Sequence, residues 1–354
     1  MISDIRLQQF RSYLDDSFEF DPAVNIIVGP NGSGKTNLLE AILVMATGSS
    51  YRVKDIDLIR YGAPWMRLEA LVGTSESRVV AVEREGDRAK KTYKINDVTF
   101  SRLTLAKKIP VVLFEPTHLQ LLAGPPDLRR QYLDDILEQT KIGYSTVRRQ
   151  YMRILAQRNA LLKHTLQLSV DQLFVWNVRL SEFGEQVAKA RDKLVERINE
   201  RLSQLYQELS NTSDIVTVQY NTICAPETYA TEMLRRLEAQ KRLDLDRGFT
   251  GCGPHREDFV VFLNGHAAAQ TASRGETRTI LLALKVVEAE LVQELRNSSP
   301  LLLLDDVFSE LDGKRRQALT RYLQHYQTFI TTTDADVVVQ QFTQTAQVIP
   351  LVDG

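Results

Sequence analysis

Apolar and polar positions alternate loosely over residues 2–20, with Ile5, Leu7, Phe18 and Phe20 on the apolar side. That period of two predicts two strands joined by a turn at Phe10-Arg11-Ser12-Tyr13. A continuous apolar run at 24–28 predicts a short buried strand, and residues 37–43 predict a helix soon after it. From about Arg67 to Phe100, runs such as Val79-Val80-Ala81-Val82 and Thr92-Tyr93-Lys94-Ile95 are separated by Gly73 and Glu85-Gly86-Asp87, the pattern of an antiparallel sheet. Val111-Val112-Leu113-Phe114 reads as another buried strand.

The period then changes. No proline falls between Pro126 and Pro226, and apolar residues recur at three-and-four spacing through Leu173, Trp176, Leu180, Val187, Leu194, Ile198 and Leu202. This is an amphipathic helical pattern, and Gly184 with the mixed stretch at 162–169 divides it into a few packed helices. A strongly apolar helix follows at 280–287, then an apolar run at 301–304 that ends in Asp305-Asp306. The chain therefore reads as an α/β protein in three stretches: 1–125, a helical insertion at 126–245, and 246–354, which completes the core begun by the first.

The chemistry concentrates after the strand at 24–28. Gly29-Pro30-Asn31-Gly32-Ser33-Gly34-Lys35-Thr36 fits the phosphate-loop pattern at every fixed position and has a strand before it and a helix behind it. Glycines let successive N–H groups point inward, and the helix N-terminus adds partial positive charge. Lys35 is placed to reach the β- and γ-phosphates of ATP, and the Thr36 hydroxyl to ligate Mg²⁺. Arg11 and Ser12, just upstream, either reach a nucleotide phosphate or form a solvated turn.

At the end of the later apolar run, Asp305 is read as the Mg²⁺ carboxylate and Asp306 as the group that orients or deprotonates the attacking water. Ser273-Arg274-Gly275-Glu276 opens the apolar helix at 280–287 and offers a second phosphate cradle. Taken alone the segment reads as a plain capped helix; beside the phosphate loop, one γ-phosphate needs two cradles only if they come from different copies, which predicts a dimer that sandwiches ATP, with Ser273 and Gly275 acting in trans. Ser309-Glu310-Leu311-Asp312 and Thr331-Thr332-Thr333-Asp334 follow on loops of the same sheet edge.

Charge and cysteine content narrow the setting. A formal net charge of −1 over 354 residues excludes a bulk polycation, so DNA contact must come from a local patch. Arg129, Arg130, Arg148 and Arg149 are the leading candidates, followed by Arg153, Arg158 and Lys163. The two cysteines, Cys224 and Cys252, have no metal-ligand spacing and suit a reducing cytosol. The first residues lack the apolar stretch of a signal peptide, and no run is long enough to cross a bilayer, so a cytoplasmic, membrane-free protein is expected.

The order of these motifs resembles ABC-type ATPases of the SMC and Rad50 group, and two segments sharpen the likeness to the RecF family. They are Phe114-Glu115-Pro116 through Leu133-Asp134, and Leu303 through Arg315 with its Ser-Glu-Leu-Asp element. Gly253-Pro254-His255-Arg256-Glu257-Asp258 adds a third element. The resemblance implies a P-loop ABC-type ATPase head with an antiparallel β subdomain and a helical insertion lobe. Its expected activity is weak, DNA-dependent ATP hydrolysis used as a switch. ATP would drive a homodimer that binds double-stranded DNA near single-stranded gaps and, with RecO and RecR, promotes RecA loading. Ser309 and Asp312 take the positions of the family's D-loop. Departures are Ser12 for a common Asn, Thr117 for an acid, Pro125 for a small residue, and Glu276 for a common Gln. An SMC-like structural clamp and a transporter ATPase subunit are the alternatives; the signature differs from the transporters' Leu-Ser-Gly-Gly-Gln.

Overall fold

The computed structural model describes residues 1–163, 170–222, 224–308, 311–333 and 346–351. In chain order the elements begin with β1 (Ile2–Phe10), β2 (Tyr13–Glu19), β3 (Val24–Val28), α1 (Lys35–Thr47), β4 (Trp65–Val72), β5 (Glu76–Glu85), β6 (Arg88–Ile95), β7 (Val98–Phe100) and β8 (Val111–Phe114). The helices α2 (Pro126–Thr140), α3 (Tyr144–Lys163) and α4 (Val170–Ser210) follow, then β9 (Val216–Asn221), α5 (Tyr229–Ala239) and α6 (Lys241–Arg247). Last come β10 (Asp258–Leu263), β11 (His266–Ala267), α7 (Ala268–Thr271), α8 (Arg274–Arg296), β12 (Leu301–Asp305), α9 (Gly313–Leu323), β13 (Thr328–Thr332) and β14 (Ala346–Pro350). None of the described helices is long and apolar enough to cross a membrane.

Two compact units result, Met1–His118 with Glu288–Gly354, and Leu119–Val287. The first holds a parallel sheet of order β14-β3-β13-β12-β8 and an antiparallel sheet of order β2-β1-β4-β5-β6-β7. Strand β12 is buried at every position, as a central parallel strand with both faces covered must be. Helix α1 buries Leu38, Leu39, Ala41, Ile42, Leu43, Val44, Met45 and Ala46, too many for one stripe. It is apolar on most of its circumference because it lies in one core with residues of both sheets, among them Leu303 and Phe329 on one side and Leu68 and Val80 on the other. Truncating Leu38 or Ile42 to alanine would open a cavity there at a cost of ~2–5 kcal/mol.

The second unit is mostly helical but contains an antiparallel sheet of order β11-β10-β9, which the helical periodicity did not predict. By the compact division the insertion extends to Val287, beyond the boundary read at 245/246. Gly184 does not divide the helices, since α4 runs through it. The residue is small because a Cβ there would sit 2.8 Å from Met233 Sδ and 3.4 Å from Pro254 Cδ, so it permits close packing. Of the other break, expected at 162–169, residues 164–169 lie outside the described residues.

Candidate nucleotide site

The loop between β3 and α1 turns through Gly32 (φ 90°) and Gly34 (φ 96°), both in the left-handed region that side chains resist. Gly34 has a second constraint: a Cβ would lie 2.9 Å from the Tyr13 hydroxyl and 3.2 Å from Ser12 Oγ. Tyr13 donates to the Gly34 carbonyl at 3.1 Å, and Asn37 Nδ2 donates to Ser12 Oγ at 3.0 Å, so the β1–β2 turn braces the loop. Lys35 is buried, and its ammonium donates to the carbonyls of Gly29 (2.8 Å) and Pro30 (2.9 Å). Pro30 and Asn31 are exposed at the tip, whereas Ser33 Oγ is buried with no hydrogen-bond partner among the described residues.

The parallel register brings the second half of the site alongside. Thr36 Oγ1 donates to Asp305 Oδ1 at 3.1 Å, joining the two residues read as metal ligands. Thr331, at the end of β13, donates to the same carboxylate oxygen at 2.7 Å, and its hydroxyl accepts from the Asp306 N–H at 2.9 Å. Asp306 adopts φ 52°, the left-handed region, immediately after the strand. Burial raises its proton affinity, the Asp305 charge raises it further, and Lys35 opposes both. A hydroxyl and a carboxylate oxygen at this separation are hard oxygen donors that fit Mg²⁺ completed by phosphate and water oxygens.

Other predicted residues have partners of their own. The Arg11 guanidinium is bound to buried Glu40 on α1 through Nε at 2.9 Å and donates to the Asp57 carbonyl at 3.1 Å. Its geometry therefore anchors the turn to the helix, neither lying free in solvent nor reaching for a phosphate. Ser273 and Gly275 belong to the second unit at the start of α8. The Ser273 hydroxyl accepts from the Glu276 N–H at 3.3 Å, and the Glu276 carboxylate accepts from the Ser273 N–H at 2.7 Å, a reciprocal capping box. Asp312 caps α9 by accepting from the Arg315 N–H at 3.0 Å; Ser309 lies outside the described residues.

The basic candidates are corrected in part. Arg129 makes a two-pronged pair with Asp258 at 2.8 and 2.7 Å and also donates to the carbonyls of Leu121, Leu122 and Gly124. Arg130 holds Asp127 and the Glu257 carbonyl, and Arg148 holds Asp134 and Glu138. Arg158 is 0 % exposed. These guanidiniums bind the protein itself, which removes the reason for reading them as phosphate contacts; Arg149 and Arg153 remain exposed.

Two contributors escaped the sequence reading. The sequence shows Thr331 only at the end of an apolar strand, yet it ties Asp305 to the Asp306 backbone. Tyr51, after α1, has a buried hydroxyl beside Arg52, and its proton is held more tightly first by burial, then by the charges of Asp305 and Glu115, with Arg52 opposing them. A tyrosine soon after the loop helix was the only signal.

Residues 1–352 match the family described as RecF/RecN/SMC N terminal domain. The DNA replication and repair protein RecF of Acetivibrio thermocellus is 33% identical over 347 residues, covering 95% of this chain and 94% of that protein. The protein of the same name from Streptococcus suis is 35% identical over 338 residues, covering 94% and 92%. The solved structure of the recombination mediator protein RecF-ATPrS in the RecFOR pathway has a TM-score of 0.89 at 29% identity, covering 100% of this chain and 96% of that one. An SMC head bound to the C-winged helix domain of ScpA, at 16% identity and a TM-score of 0.55, shares the fold alone. The fold is thus the ABC-type ATPase head, and similarity that runs the length of the chain settles its kinship: it belongs to the RecF family.

Proposed function

We propose that this chain is an ATP-dependent DNA-binding protein of recombinational repair and replication. ATP closes two copies into a dimer on double-stranded DNA beside single-stranded gaps, and with RecO and RecR the dimer promotes RecA loading in the cytoplasm. The observation that carries this reading is the linked set Thr36–Asp305–Thr331–Asp306 beside the phosphate loop. The names of the relatives and of the RecFOR pathway structure support the biological setting.

The amides of residues 29–34 cradle the phosphates, and Lys35 exchanges neutral carbonyl acceptors for phosphate oxygens. Thr36 and Asp305 hold Mg²⁺, which when bound offsets the charge on the phosphate oxygens. Asp306 orients the attacking water and, with its raised proton affinity, takes its proton. Ser273 and Gly275 of a second copy close over the γ-phosphate, with Ser309 and Asp312 on the same interface. Glu276 lies within that closure, where its charge opposes the triphosphate. Hydrolysis is slow and resets the dimer.

Steady-state ATP hydrolysis with and without gapped duplex DNA tests the reading. Stimulation by the DNA is expected. A rate indifferent to DNA, together with no DNA retention in ATP, contradicts it.

A further inference from the structure

The end of the antiparallel sheet in the first unit presents two large aromatic side chains to solvent. Tyr61 is 101% exposed and Trp65 is 39% exposed. They are four positions apart in a short segment that enters β4, and the backbone of that segment is pinned. Arg60 N–H donates to the Gln9 carbonyl at 2.8 Å, Ala63 N–H to Arg60 at 3.0 Å, and Arg84 N–H to Pro64 at 2.9 Å. The rings are therefore displayed from a braced turn, which lowers the ordering cost of using them as a contact.

Cations flank the rings. Lys54 is exposed on the loop after α1, and Arg84 and Arg88 are exposed on the β5–β6 hairpin. Among the described residues, none of these three is in an ion pair. The pairing register places Trp65 opposite Glu83, and Glu83 opposite Lys90, while Lys91 reaches Asp55 beside Lys54, so loop and hairpin share one end of the sheet. Exposed Asp57, Glu83 and Asp87 dilute the positive charge. The three cations and three acids balance, so this surface suits a contact with one or two phosphates and does not suit a long track along a duplex.

We propose that this end of the sheet, centred on Tyr61 and Trp65, binds unpaired nucleotides of single-stranded DNA. Stacked base pairs present no free π-face, whereas unpaired bases stack on exposed aromatic rings with little sequence preference, and nearby cations meet their phosphates. The inference rests on the DNA-binding reading above and adds to it a place where the unpaired strand at a gap is held.

The test uses the full chain and the emission of Trp65. The sequence has two tryptophans, Trp65 and Trp176, so Trp176→Phe isolates the reporter. Titration with oligo-dT, a gapped duplex and a blunt duplex should quench Trp65 with the first two and leave it nearly unchanged with the third. By fluorescence anisotropy, Tyr61→Ala and Trp65→Ala should each weaken oligo-dT binding roughly tenfold. Lys54→Glu should weaken it and flatten its salt dependence. ATP hydrolysis without DNA should stay at the level of the unsubstituted chain in all of them. Unchanged Trp65 emission and unchanged oligo-dT affinity in the ring variants, in a protein that still binds gapped DNA, would overturn the inference and leave the DNA-binding reading standing. Equal losses for blunt duplex and oligo-dT would also overturn it. If the unsubstituted chain binds none of the DNAs in ATP, the DNA-binding reading fails, and this inference with it.

Discussion

Lys35 and Arg158 are buried cations, one in each compact unit, and their partners differ in kind. Arg158, in α3, donates through Nη1 to Asp244 at 2.8 Å and to Thr250 at 2.7 Å, and through Nε to Asn177 at 2.6 Å. Its charge is answered by a carboxylate inside the unit. Among the described residues Lys35 donates to two backbone carbonyls, neutral acceptors that a phosphate oxygen can displace, and its charge also acts on Asp306 without a hydrogen bond being given between them. The same contrast holds for the acids. Glu257 accepts from Tyr220, Thr222 and Tyr229 at 2.6, 2.8 and 2.7 Å, and Asp134 pairs with Arg191 at 2.9 Å. Asp305 and Asp306 instead sit side by side, and the charge of the first raises the proton affinity of the second. Buried charge closed on itself is structure; the adjacent carboxylates with hydroxyl and amide partners are the set proposed to take a cation and a phosphate.

Substituting the open set should impair chemistry and leave the fold intact, while substituting the closed set should do the reverse. The largest expected effect is Asp306→Asn, which should slow hydrolysis by ~10²–10⁴-fold with ATP binding retained. The acid limb that this proposed base gives the pH–rate profile should vanish in the variant. Arg158→Met leaves Asp244 buried and unpaired, so stability should fall by ~3–5 kcal/mol in denaturant titration, with ATP affinity of the folded protein unchanged.

His255 gives the closed set a pH signature. It meets the Tyr151 hydroxyl at 2.6 Å and the Thr250 carbonyl at 3.1 Å, and burial lowers its pKa to about 4. The unfolded chain takes up this proton at higher pH than the folded one. Stability is therefore full above the unfolded value and declines as pH falls towards 4, by about 3 kcal/mol at most. His255→Gln should flatten that part of the melting-temperature profile. Lys35→Ala should weaken ATP binding ~10- to 100-fold by calorimetry, the loss of charge-assisted hydrogen bonds. The smallest effect is Glu276→Gln, which keeps an acceptor for the Ser273 N–H but removes a charge, and should strengthen ATP-dependent self-association by a few-fold at most.

The phosphate loop was legible because its residues are contiguous and its chemistry demands fixed spacing. The strands of the parallel sheet were legible because burial on both faces leaves unbroken apolar runs such as 301–304. The small sheet of the second unit was not, because β9 is a short strand buried at alternate positions and its partner β10 lies far along the chain. Charged residues on helices misled for a related reason: a cationic side chain does not announce its face. Arg158 carried a readable signal, since the buried positions of α3 are Tyr144, Tyr151, Ile154, Leu155, Arg158 and Leu162, which puts it on the apolar stripe. Partners far apart in sequence, Arg129 with Asp258 or Asp305 with Thr331, needed the fold to bring them together.

In the proposed dimer ATP is sandwiched between two copies, with Lys35 of one and Ser273 of the other on the same nucleotide. Light scattering of Asp306→Asn with and without ATP–Mg²⁺ tests it most directly. A monomer that becomes a dimer with ATP, and fails to do so when Ser273→Arg is added, is the predicted result. A mass unchanged by saturating ATP, with binding confirmed by calorimetry, would contradict it.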